Sequence, residues 1–141
     1  MLLKKRFLVS KEDRVVEDMI METNPLLEAF GNAKTIQNDN SSRFGKFQKI
    51  FFKNQKSIHF IYSAEIENYL LEESRIVKQS KNERNYHIFY MLVHAADENL
   101  KDELEIDEFN YKYLNDDYDK KNYFEANDVE TWGEMLESMK N

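Results

Sequence analysis

The 141-residue chain has no cysteine, one proline and three glycines. Without cysteine there can be no disulfide and no thiolate zinc site, a pattern that fits a cytoplasmic protein. The glycines stand at 31, 45 and 133, and Gly45-Lys46 is followed by Phe47. The phosphate-cradling pattern Gly-x-x-x-x-Gly-Lys-Ser/Thr is therefore absent from these residues. No apolar run is long enough to span a membrane. The apolar stretches near Leu2-Leu3 and Phe7–Val9 are short and interrupted by Lys4-Lys5-Arg6, so no secretory leader is expected. An excess of basic residues is also missing. There are 27 acidic against 20 basic side chains, a net charge of −7, which argues against a nucleic-acid partner.

What is present suits a folded core, with 41% hydrophobic and 13% aromatic residues. By length it is at most one domain. Ser10-x-x-Asp13 reads as a helix start. Val16, Met19, Ile20, Thr23, Leu26, Leu27 and Phe30 then follow at helical spacing. Pro25 should kink that helix and Gly31-Asn32 should stop it. Phe47–Phe52 and the alternating Ile58, Phe60, Tyr62, Ala64 and Ile66 predict two strands, with Lys53–Ser57 as the turn. Glu67–Glu73 is expected as a helical turn and Ser74–Ser80 as an extended connection. Ser80-x-x-Glu83 would cap a buried helix over Arg84–Ala96. An acidic helix follows near Asp97–Leu104, then an Asp-rich loop, Asp107–Glu125. Val129, Trp132, Leu136 and Met139 form the apolar stripe of a last helix. The class is mixed α/β.

Between the first helix and the first strand lies Asn32–Lys46. Asn38, Asn40, Ser41 and Ser42 gather neutral donors, which a phosphate site without a large positive charge requires. A serine hydroxyl can also ligate Mg²⁺, a hard cation that prefers oxygen. Arg43 adds a planar charge suited to carboxylate or phosphate. On composition alone, an ordinary polar loop explains the same residues. His87 and His94 could share a helix face, but with His59 they lack the spacing of a third ligand and read as structural. Asp116-Asp117-Tyr118-Asp119 lacks the glycine and closing glutamate of a calcium loop. Glu72, Glu73 and Arg75 read as surface ion pairs of little energetic value.

Longer wording decides between these readings. Asn24–Thr35 (Asn-Pro-Leu-Leu-Glu-Ala-Phe-Gly-Asn-Ala-Lys-Thr) leads into Asn38–Phe47 (Asn-Asp-Asn-Ser-Ser-Arg-Phe-Gly-Lys-Phe). Tyr69–Arg75 (Tyr-Leu-Leu-Glu-Glu-Ser-Arg) and Asn82–Tyr90 (Asn-Glu-Arg-Asn-Tyr-His-Ile-Phe-Tyr) follow in order. The set resembles the myosin motor head. Kinesins share the shorter Asn-x-x-Ser-Ser-Arg pattern but continue it differently. The resemblance runs from Val15 to the C-terminus, leaving 1–14 as a lead-in and 15–141 as a partial motor domain.

The resemblance implies a fragment of a P-loop NTPase-type fold: kinked helix, switch I loop, two-stranded hairpin, then helices. It implies ATP and Mg²⁺ as cofactors, and an actin filament and the remaining motor-head segments as partners. The setting would be the cytoplasmic cytoskeleton. Ser42 would ligate Mg²⁺. Ser41 would contact the γ-phosphate side and relay a proton from the attacking water. Asn38 would donate to phosphate oxygens, with Asn32 and Asn40 matched beside it. Arg43 would pair with a switch II glutamate that these residues do not contain, leaving it without that partner. The sequence departs from the family's wording at Glu73, where lysine is usual, and at Ser63, where glycine is common. With neither P-loop nor switch II, the chain is expected to be inactive alone and prone to aggregate through uncovered strand edges. The alternative is a non-catalytic binding module on the same scaffold.

Overall fold

A computed structural model of the chain describes residues 4–8, 16–55, 58–106, 111, 113–114 and 127–140. The first helical stretch is two helices, α1 (Val16–Glu22) and α2 (Asn24–Gly31), parted at Thr23. Pro25 falls in the first turn of α2, where its missing N–H costs nothing. The Thr23 hydroxyl donates to the Ile20 carbonyl at 2.7 Å, closing α1. The expected kink is thus a full break. It also changes the buried face: Phe30, expected inside, is 50% exposed, while Ala29 and Gly31 are buried.

A short antiparallel ribbon follows, β2 (Asn32–Ala33) against β3 (Ser41–Ser42), with Asn32 opposite Ser42. Next come the long strands β4 (Gly45–Gln55) and β5 (Ile58–Tyr69), antiparallel to one another. The expected two-stranded hairpin is in fact three-stranded. Strand β1 (Lys4–Leu8), from the unassigned lead-in, pairs with the other side of β5 in the order β1-β5-β4. The register slips between Phe51 and Phe52, so Tyr62 is one residue extra on β5. Lys53–Gln55, expected as turn, continues the strand.

Two further expectations exchange places. Glu67–Tyr69 stays extended, because it pairs with Gly45–Phe47 of β4 and, at Glu67, with Lys4 of β1. The Glu67 carboxylate also accepts from Lys49 at 3.0 Å. The helical turn comes later, as α3 (Ser74–Val77), where an extended connection was expected. The chain leaves β5 abruptly at Leu70, whose φ is 55°.

The buried helix is α4 (His87–His94), shorter than expected and without a side-chain cap. Because α4 starts only at His87, the Ser80/Glu83 pair does not cap it, and the Glu83 carboxylate accepts from Arg75 Nη1 at 3.1 Å. Helix α5 (Glu98–Glu103) is capped by Asp97, which accepts from the Leu100 N–H at 2.9 Å. In α6 (Asp128–Lys140) the buried residues are Asp128, Trp132, Met135 and Ser138. Only Trp132 of the expected stripe is buried; Val129, Leu136 and Met139 are 55%, 37% and 57% exposed. The helix is rotated because Asp128 faces inward to Arg84, with Nη2–carboxylate distances of 2.9 and 3.1 Å.

The main core gathers Ala29 of α2, Ala33 of the ribbon, Tyr86 at the N-cap of α4, Met91 of α4, and Trp132 and Met135 of α6. A second cluster packs α1 on the sheet through Val16, Ala64 and Ile66. No helix among the described residues is long and apolar enough to cross a membrane. The Ser10/Asp13 start, the Asp116–Asp119 run and the His59 side chain lie outside the described residues.

Candidate functional site

The polar stretch forms a loop whose two ends are paired by the β2–β3 ribbon. At its entry, the Thr35 N–H donates to the Asn38 carbonyl at 2.8 Å, and the Asn38 N–H donates back to the Thr35 hydroxyl at 3.1 Å. Asn38 Oδ1 then accepts from the Asn40 N–H at 2.9 Å, an Asx turn that favours this residue type. The Asn38 amide nitrogen finds no protein partner among the described residues and can donate elsewhere.

Asn40 is the hub of the loop. Its Nδ2 donates to Glu28 of α2 at 3.0 Å. Its Oδ1 accepts from Asn32 Nδ2 at 3.0 Å and lies 3.1 Å from His87 Nε2 on α4. Asn32 is buried, and its reach is to Asn40 rather than to solvent. Beyond the hub, Ser41 Oγ accepts from Arg43 Nη1 at 3.2 Å, which leaves the serine proton free to donate. Ser42 Oγ donates to the Phe44 carbonyl at 3.2 Å, which leaves its lone pairs free. The two neighbouring serines thus present opposite hydrogen-bonding valences. Phe44 lies against Gly31: a Cβ there would stand 2.3 Å from Phe44 Cδ1.

Arg43 pairs with a carboxylate within the chain, one that is not the switch II glutamate and that the sequence reading did not assign to it. Its Nε donates to Glu72 Oε2 at 2.6 Å. That bond lowers the Glu72 carboxyl below its ordinary range, with burial opposing and Arg75 adding to the effect. The same bond raises the Arg43 guanidinium. Tyr86 donates to the Glu72 carbonyl at 2.8 Å, and burial pushes its phenol upward. Arg75, expected on the surface, is only 5% exposed and joins Glu72 to Glu83. These charged partners, with Glu28 and His87, were missed as parts of the site. The Glu72–Arg75 spacing of three was the available local signal; the pairing to Arg43 crosses 29 residues and leaves none.

The donor set suits an anionic oxygen ligand. The described residues hold no cluster of three or more His, Cys, Asp or Glu for a metal. Mg²⁺ would depend on the Ser42 hydroxyl with phosphate oxygens and water, a composition this ion accepts. Phe44 also lines a mainly apolar cavity of about 680 Å³, together with Leu26, Leu27, Phe30, Tyr69 and Leu71. Its chemistry does not suit phosphate.

The family model of the myosin head (motor domain) matches residues 4–141. Myosin-J heavy chain of Dictyostelium discoideum is 56% identical over 107 residues, covering 75% of this chain and 5% of that protein. Unconventional myosin heavy chain 6 of Caenorhabditis elegans is 55% identical over 98 residues, 70% of this chain and 4% of that protein. Unconventional myosin-VI of Mus musculus is 52% identical over 101 residues, 71% of this chain and 8% of that protein. The chain belongs to the myosin head (motor domain) family. It spans less than a tenth of the length of these curated relatives.

Proposed function

We propose that the chain supplies the phosphate-sensing loop, switch I, of an ATP-dependent, actin-based motor. The observation that carries this reading is the complementary pair of serines. Ser42 keeps lone pairs for Mg²⁺ and Ser41 keeps a proton for a phosphate oxygen. Asn38 would add its free amide donors to the phosphate. Asn40 and the buried Asn32 would hold the loop's shape rather than touch the nucleotide directly. Arg43 would supply charge and engage a carboxylate as the site closes. Mg²⁺, when bound, would neutralise phosphate charge.

The phosphate cradle and its lysine, the second switch and the actin-binding surface would come from other segments of the motor head. Membership of the family supports this division of labour. So does the free outer edge of β4 among the described residues, a place where a larger sheet would continue. The expected setting is the cytoplasmic cytoskeleton.

The test is Ser42→Ala in the longest product that contains this segment. Removing one preorganised oxygen should cut Mg²⁺-dependent ATP turnover by about a hundredfold. It should also weaken Mg²⁺-dependent binding of a fluorescent ATP analogue. Unchanged binding and turnover would sink the reading, and steady turnover by the 141-residue chain alone would sink the division of labour.

A further inference from the structure

Arg75 is the second residue of α3 and its side chain is buried. A guanidinium so placed needs several acceptors to offset lost hydration. It has three. Nε donates to Glu72 Oε2 at 2.9 Å, and Nη1 donates to Glu83 Oε2 and to the Arg84 carbonyl, both at 3.1 Å. Glu72 leads to the exit of the Lys34–Arg43 loop, and Glu83 and the Arg84 backbone lead to its entry. Glu72 Oε2 is the same atom that receives Arg43 Nε. The Glu72 N–H also donates to the Arg43 carbonyl at 2.9 Å. On the other side, Glu83 Oε1 accepts from the Ile36 N–H at 3.4 Å, a long contact. The Arg84 N–H strengthens that end by donating to the Lys34 carbonyl at 3.0 Å, and Ala33 bridges Tyr86.

We propose that Arg75 is a positioning residue for the loop, holding its entry and its exit in one charge ladder so that the two ends move together. The ladder runs Ile36–Glu83–Arg75–Glu72–Arg43. The planar fork reaches Glu72 from Nε and Glu83 and the Arg84 carbonyl from Nη1 in fixed directions, whereas lysine would gather its three donors on one atom. The clamp takes its purpose from the reading of the loop as switch I, but its geometry is testable without nucleotide.

The purified chain, labelled with ¹⁵N, provides the test by hydrogen exchange. Glu83→Ala removes the entry contact and Glu72→Ala the exit contact. The Arg43 backbone N–H and Nε–H report on the exit; the Thr35 and Ile36 amides report on the entry. Amides of α4 measure global opening. Each variant is expected to speed exchange at the far end by at least about threefold, the lower edge of coupling within one bonded network. Arg75→Lys should loosen both ends while the α4 amides hold. Should an alanine variant unfold, Glu72→Gln and Glu83→Gln carry the same comparison. Exchange that quickens only at the mutated end, or an Arg75→Lys chain indistinguishable from wild type, would overturn the clamp. That result would leave the Ser42 test of the phosphate reading untouched.

Discussion

At the scale of single residues, the loop is governed by one amide and one carboxylate. Asn40 Nδ2 must face the Glu28 carboxylate, because the opposite orientation would set oxygen against oxygen. Oδ1 then faces His87, so His87 carries its proton on Nε2. Glu72 is the titratable counterpart. Its folded pKa lies below the ordinary value, chiefly through Arg43. Its bond therefore contributes stability above the ordinary carboxylate range, and that stability is lost as pH falls through the lowered folded pKa. Urea midpoints from neutral to acid pH should fall more steeply for wild type than for Glu72→Gln; parallel curves would exclude Glu72 as the source. The Asn and Ser donors were legible in the sequence because they form one contiguous phrase. Their supports were not. Glu28, Glu72 and His87 look like ordinary surface residues until folding brings them to the loop.

At the scale of elements, close packing sets how α2 hands over to the loop. Gly31 ends α2 directly under the Phe44 ring. Gly31→Ala would gain helix propensity, about 0.5–1 kcal/mol. It would also force the ring aside, and such overpacking costs about 1–3 kcal/mol. The clash wins, so the variant should show a lower urea midpoint and altered shifts at Arg43, the neighbour of the displaced ring. A gain in stability would mean that the ring yields freely. Elements were legible where backbone chemistry decides them: Pro25 marked an interruption of the helix as a kink, and the structure makes it a full break at Thr23. They were misread where distant charge intervenes. Glu83 serves Arg75 rather than the start of α4, and Asp128 turns α6 toward Arg84, whose guanidinium lies 3.9 Å from the centre of the Tyr90 ring. An apolar stripe cannot announce a buried ion pair.

At the scale of the whole molecule, α2, α4 and α6 share one core and α1 packs on the sheet, yet the sheet stays partly bare. Phe47, Ile50 and Phe52 on β4 are 52%, 42% and 63% exposed. Cross-strand pairing places Ile50 and Phe52 on the face shared with Ala64, and Phe47 on the other. An open strand edge with apolar residues on both faces favours self-association. Sedimentation of the purified chain should show oligomers that Phe52→Lys reduces; a monodisperse wild-type monomer would contradict this. The third strand, β1, was illegible because its partner lies more than fifty residues away. The loop is held differently from the bare sheet. Lys34 and Arg43 are the basic residues between Asn32 and Arg43, and the carbonyl of each is engaged, by Arg84 and Glu72. A trypsin-like protease must straighten the bond after a basic residue before cutting it. The segment richest in proposed chemistry is therefore shielded from digestion while folded, and a cut there would time the loop's opening rather than its exposure.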